Sequence, residues 1–161
     1  MAHEHHKKAV KREGADDNHY VHLLLMAALS LVAMYILMYA MVDAYANVYN
    51  HINQFYMAGL MAAPMVVIEL VVMRAMYANK RLNAVLIAVS LVAASLFFGG
   101  IRRQAAVSDD QFLRSMIPHH AGAILMCREA NIEHRDIRDL CRNIIASQQT
   151  EINQMKALLQ D

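Results

Sequence analysis

The chain has 161 residues, 58% of them hydrophobic and 18% charged, with a net charge of +1. Such a composition is too apolar for an ordinary soluble domain, and its near-neutral charge excludes a nucleic-acid binder. The length is too short for two sizeable soluble cores, and the scarcity of Gly and Pro favours helices throughout.

Residues 1–19 are polar and contain Lys7, Lys8, Lys11 and Arg12 beside a short tract of His3, His5 and His6. They read as a disordered cytoplasmic tail whose imidazoles can bind metal weakly. Tyr20 to Val42 then carries no Asp, Glu, Lys or Arg. Gln54 to Tyr77 is apolar except for Glu69 and Arg74, and Leu82 to Ile101 again has no charge. A membrane span takes about 20 mostly apolar residues. The pattern therefore predicts three transmembrane helices over about 20–43, 54–77 and 82–101, together a membrane domain of residues 20–103. The first run exceeds the apolar region of a cleaved signal peptide and is read as a retained anchor.

On the second span Met57, Met61, Met65, Glu69 and Met73 recur every four residues. An ionisable group at membrane depth raises the question of a path for a soft cation. The plainer reading has Met as filler and Glu69 paired with Lys80 or Arg81. In the turn before this span, His51 is either part of an external site or an interfacial residue, among Tyr45, Tyr49 and Tyr56 of an aromatic belt.

Lys and Arg set the expected orientation. They occupy the N-terminal tail and the turn at Lys80 and Arg81, and are absent from Asp43 to Asn53, whereas Arg102 and Arg103 just after the third span argue weakly the other way. The positive-inside rule then puts the N-terminus in the cytoplasm of a cell (inner) membrane protein and residues 104–161 outside it.

That last segment reads as a helical hairpin. Ser108 can cap a helix with Gln111 completing a capping box, and Asp109 and Asp110 suit the positive end of the helix dipole. Phe112, Met116, Ala123 and Cys127 follow at helical spacing, Asn131 to Arg135 turns the chain, and Ile137, Cys141, Ile144, Gln148, Ile152, Met155 and Leu159 share a face of a second helix. A lone hairpin buries little. Its stripe needs a second copy, giving a four-helix bundle, or the outer ends of the spans.

Met116-Ile117-Pro118-His119-His120 is the chemically distinctive stretch. Pro118 cannot donate to the carbonyl of Arg114, so a kink is expected before the paired His, and one of them can hydrogen-bond a carbonyl freed there. Antiparallel packing sets His119 within a helical turn of Glu151. Met116, His119, His120, Gln148 and Glu151 can then converge, with Met126 and Met155 as outlying ligands or core residues. Thioether and imidazole suit a soft or borderline metal such as copper. The same register that pairs residue 120 with 148 pairs Cys127 with Cys141. These two can form a disulfide in an oxidising compartment, ligate Cu(I), or act as small buried hydrophobes.

Asp109, Phe112, the Met116-Ile117-Pro118-His119-His120 element, Ala123, Ile124, Met126, Leu140, Ile144, Ile145, Gln148, Glu151, Ile152 and Met155 together resemble the family named domain of unknown function 305. The resemblance covers the last third of the chain. It implies a ferritin-like helical fold and, from some members, copper binding and tolerance outside the cytoplasm. The implied ligands are Met116, His119, His120, Met126 and Met155, with Gln148 and Glu151 matching the motif too. The chain departs from the family in its three spans and in having Cys127 and Cys141 where Ala is usual.

The sequence thus leads to an all-α membrane-anchored protein that holds a copper ion, as Cu(I), for sequestration or transfer. Its expected partners are the lipid bilayer, a second copy of itself and a copper-handling protein. A metal-free oligomerisation or docking module is the alternative. No enzyme is expected, since the chain has no pair of Glu-x-x-His motifs, nucleophile–base pair, Gly-rich phosphate loop or zinc-type Cys pattern.

Overall fold

The computed structural model describes residues 2–160, with side chains from residue 18 onward. The tail expected to be disordered is the start of the first helix, while the side chains of its His3, His5 and His6 tract lie outside the described residues. Five α-helices follow one another: α1 (Ala2–Leu37), α2 (Ile52–Val72), α3 (Lys80–Arg103), α4 (Asp109–Glu129) and α5 (Arg135–Leu158). No strand occurs among the described residues. Three stretches, Asn18–Met41, Ile52–Val72 and Lys80–Arg103, are long and apolar enough to cross a membrane.

The chain divides into two compact units. Residues 1–34 and 56–99 form the first, and residues 35–55 and 100–161 the second.

In the first unit the core is Tyr20, Leu23, Val66, Leu70 and Tyr77, flanked by Met26, Ala27, Leu82, Leu86 and Ile87. Outside it, Leu25, Leu29, Val32, Ile68, Val71, Val85, Val89 and Leu96 are exposed. Apolar rows of that extent suit a hydrocarbon surround. Gly59 lets α2 and α3 approach, because a Cβ there would come within 2.5 Å of the Phe97 ring. Although the Met73 N–H still donates to the Glu69 carbonyl at 2.8 Å, α2 stops at Val72, five residues before the end expected from composition. The reason is Tyr77, which turns back into the core. Its hydroxyl donates to Oε1 of Glu69 at 3.4 Å. Burial and the Glu69 carboxylate push the Tyr77 phenol up from its ordinary pKa. Asn79 Oδ1 accepts from the Leu82 N–H at 3.0 Å and so caps α3.

The second unit is built on α4 and α5, which pack together along their length. Ile117, Ala121, Ile124, Ile152 and Met155 form its core, and Val42, Tyr49, Leu113, Met116, Ile145 and Leu159 pack against it. Val42 and Tyr49 belong to the connection between α1 and α2, which contains 3-10 turns at Met38–Met41 and Tyr45–Asn47. This connection supplies the hairpin with apolar cover. Gly122 is where it comes closest, since a Cβ there would stand 3.2 Å from the Met41 carbonyl oxygen. A buried charge locks the contact. Asp43 Oδ2 pairs with the Arg128 guanidinium at 3.4 Å, and its Oδ1 accepts from Asn47 Nδ2 at 2.6 Å.

The buried face of α4 differs from the expected one. Ile117, Ala121 and Ile124 are fully buried, whereas Phe112 is 50% exposed. The helix is rotated because it must cover the connection as well as α5. Half of the expected capping box is present: Ser108 Oγ accepts from the Gln111 N–H at 3.4 Å. The Gln111 side chain does not return to Ser108. Its Oε1 instead accepts from the Ile52 N–H, capping α2 at 2.9 Å. His51 Nδ1 accepts from the Gln54 N–H at 3.1 Å at the same helix start.

Candidate functional site

α4 runs through Pro118 without interruption, and Pro118 itself is buried. The paired imidazoles that follow face different surroundings. His120 is buried and His119 is exposed. Their ring centroids are 6.1 Å apart, so they sit beside each other without stacking.

His120 is the chemically unusual group. Its Nδ1 lies 3.1 Å from Oε2 of Glu151 on α5. Yet Nδ1 is buried and has no hydrogen-bond partner, so the two groups approach without an aligned bond. Nδ1 also makes no bond to a carbonyl freed by Pro118. Desolvation lowers the imidazole pKa, Glu151 pulls it partly back up and His119 pushes it further down. The net effect keeps His120 neutral at neutral pH, the form that can donate a lone pair to a cation.

Two sulfur-bearing side chains belong to the apolar core of the hairpin. Met155 is buried in it and Met116 packs against it, one helical turn before His120. Gln148 is half-buried and Glu151 exposed on α5. Met126, at 54% exposed, stands outside the cluster. The structure thus brings His120 to Glu151 and places Met116 and Met155 in one apolar cluster. It leaves His119 and Met126 on the surface. Among the described residues no three His, Cys, Asp or Glu side chains converge as a metal set.

The cysteines are not ligands. Cys127 and Cys141 are joined by a disulfide across the tip of the hairpin, with Cα atoms 5.2 Å apart. His51 is occupied as the cap of α2 through Nδ1, and burial lowers its pKa. Sequence reasoning missed Asp43, Asn47 and Arg128, which fix the connection to α4. The available signal was Asp43, the first charge after a long uncharged run, four residues before Asn47.

Residues 92–159 match the model of the family described as Domain of unknown function (DUF305). The chain is also 33% identical over 142 residues to an uncharacterized protein of Acanthamoeba polyphaga mimivirus, covering 86% of this chain and 91% of that one. No solved structure matches it.

Proposed function

The chain belongs to the DUF305 family, and on that footing we propose that it is a membrane-anchored, non-catalytic protein whose hairpin binds copper as Cu(I), for sequestration or transfer. The observation that carries this reading is the buried, unpartnered Nδ1 of His120. Leaving a buried polar atom unsatisfied costs roughly 1–3 kcal/mol, and a cation there would satisfy both the imidazole and the Glu151 carboxylate. No cluster of three His, Cys, Asp or Glu occurs among the described residues, so the proposed site takes its further donors from methionine sulfur. Thioether ligands select Cu(I) over the harder divalent ions. His120, Met116 and Met155 are the principal donors, with Glu151 and Gln148 beside them and His119 and Met126 outward, where a delivering protein can reach them.

The three apolar helices serve as the anchor. The N-terminal tail is cytoplasmic and the hairpin extracytoplasmic, in keeping with the distribution of Lys and Arg and with a disulfide that needs an oxidising compartment. A reporter fused after Asp161 tests the topology, which fails if the reporter works only in the cytoplasm. Metal analysis of the full chain, purified in detergent without chelator, tests the binding. Copper is expected with the native protein and lost from a Met116→Ala, His119→Ala, His120→Ala variant. Equal copper in both ends the proposal.

A second reading rests on Phe112, Met126, Ile137, Leu140 and Leu158, all exposed apolar side chains of the hairpin. They suit a metal-free module that docks a second copy or another helical protein. An oligomer that is unchanged after metal stripping, in a protein that takes up no copper, favours it.

A further inference from the structure

The tip of the hairpin holds a cleft of about 310 Å³, lined by Cys127, Asn131, Arg138, Cys141, Arg142 and Ile145 among others. Its size is at the lower end of small-molecule sites. Three features make it chemically specific. The disulfide forms part of the wall, and both of its cysteines are only half-buried. Arg138 is exposed and has no ion-pair partner among the described residues. Arg142, by contrast, is paired with Asp139 one turn away. A cystine bond thus stands beside one unengaged guanidinium and one engaged guanidinium.

We propose that this cleft is a thiol–disulfide exchange site for a small anionic thiol, one that carries carboxylate as well as sulfhydryl. Arg138 draws the carboxylate, since guanidinium matches carboxylate geometry. The thiolate then attacks one sulfur of the Cys127–Cys141 bond. A mixed disulfide forms, and the other cysteine leaves as a thiolate that takes up the proton lost by the attacking thiol. A second thiol attacks the mixed disulfide on the small molecule's sulfur. The products are the oxidised thiol dimer and the Cys127/Cys141 dithiol, with two electrons passed to the protein. The positive charge of Arg138 also favours each departing thiolate. This site is separate from His120 and does not depend on metal binding.

The test uses the full chain in detergent micelles, without oxygen, with reduced glutathione as the anionic thiol and cysteamine as a cationic one. Alkylation and mass spectrometry count the thiols released over time. Arg138→Gln is expected to slow reduction by glutathione about fivefold while leaving the cysteamine rate unchanged or raised. Asp139→Asn, which releases Arg142, is expected to speed reduction by glutathione, and molar salt to erase both effects. The cysteamine rate guards against a misfolded variant. A disulfide that neither thiol reduces, or substitutions that change both rates alike, overturns the proposal.

Discussion

Nδ1 of His120 lies 3.1 Å from Oε2 of Glu151, and it is buried without an aligned hydrogen bond. The imidazole therefore depends on an exposed carboxylate on the facing helix for its electrostatic support. Its folded pKa is lowered from the ordinary 6.5, mainly by desolvation. For a depressed histidine the unfolded chain takes up a proton first. The contribution to stability is complete above about pH 6.5 and declines as the pH falls below it. Glu151→Gln removes the attraction that raises this pKa, so the titration midpoint of His120 should fall further. Nuclear magnetic resonance titration of the imidazole carbons checks both the sign and the change. A midpoint above 6.5 would contradict the first expectation.

Copper binding should divide the motif residues by burial. His120→Ala is expected to weaken binding at least about tenfold, in line with the loss of a direct ligand. Met126→Ala should change it by less than about twofold, because that side chain stands outside the packed cluster. Competition titrations with a Cu(I) chelator read both values. A larger loss from Met126 than from His120 would relocate the site to the surface.

The disulfide closes a loop between residues 127 and 141, a separation of 14. Replacing both cysteines with Ala should cost about 2–3 kcal/mol in unfolding of the hairpin. Denaturant titration of the full chain in detergent gives the number. No change would mean that the tip is held without the bond.

Gln111 is expected to act across the sequence. Gln111→Ala deprives the Ile52 N–H of its acceptor and should cost about 1 kcal/mol. Hydrogen exchange at the Ile52 amide should quicken, with little effect at the first amides of α4, where Ser108 remains the cap.

Ala106 has a φ of +56°, a left-handed conformation that costs a residue with a Cβ about 1 kcal/mol. Ala106→Gly should therefore leave stability unchanged or raise it by up to about 1 kcal/mol, the relieved strain being offset in part by the freer unfolded chain. Thermal unfolding measures it, and a clear destabilisation would show that the Ala106 methyl makes contacts of value.

Much of this fold is written locally. Uncharged runs identify three apolar helices, and the spacing of Ile152, Met155 and Leu159 identifies the C-terminal part of the buried face of α5, whereas Ile137, expected on that face, is exposed and Ile145 rather than Ile144 packs on the core. The register that joins Cys127 to Cys141 follows from the position of the turn. What periodicity did not reveal was the orientation of α4. Phe112, Met116, Ala123 and Cys127 make an apolar row, but Ile117, Ala121 and Ile124, about a third of a turn away, are the residues in the core. Their cover comes partly from Val42 and Tyr49, some 70 residues earlier in the chain, and a contact over that distance leaves no mark on local spacing. The site was legible in the same degree. The antiparallel register brings the His pair level with Glu151, but the expected neighbour was His119; the rotation of α4 turns His120 to Glu151 and leaves His119 outward.

The place of Val42 and Tyr49 against Ile117, Ala121 and Ile124 bears on how this protein can be handled. A soluble fragment cut near Gln104 would lose those two side chains and the Asp43 carboxylate that neutralises Arg128. Its uncovered isoleucines would drive self-association, and any affinity measured on it would describe that aggregate. Grafting residues 35–55 back onto the excised hairpin through a short linker would restore the missing wall and yield a faithful water-soluble surrogate.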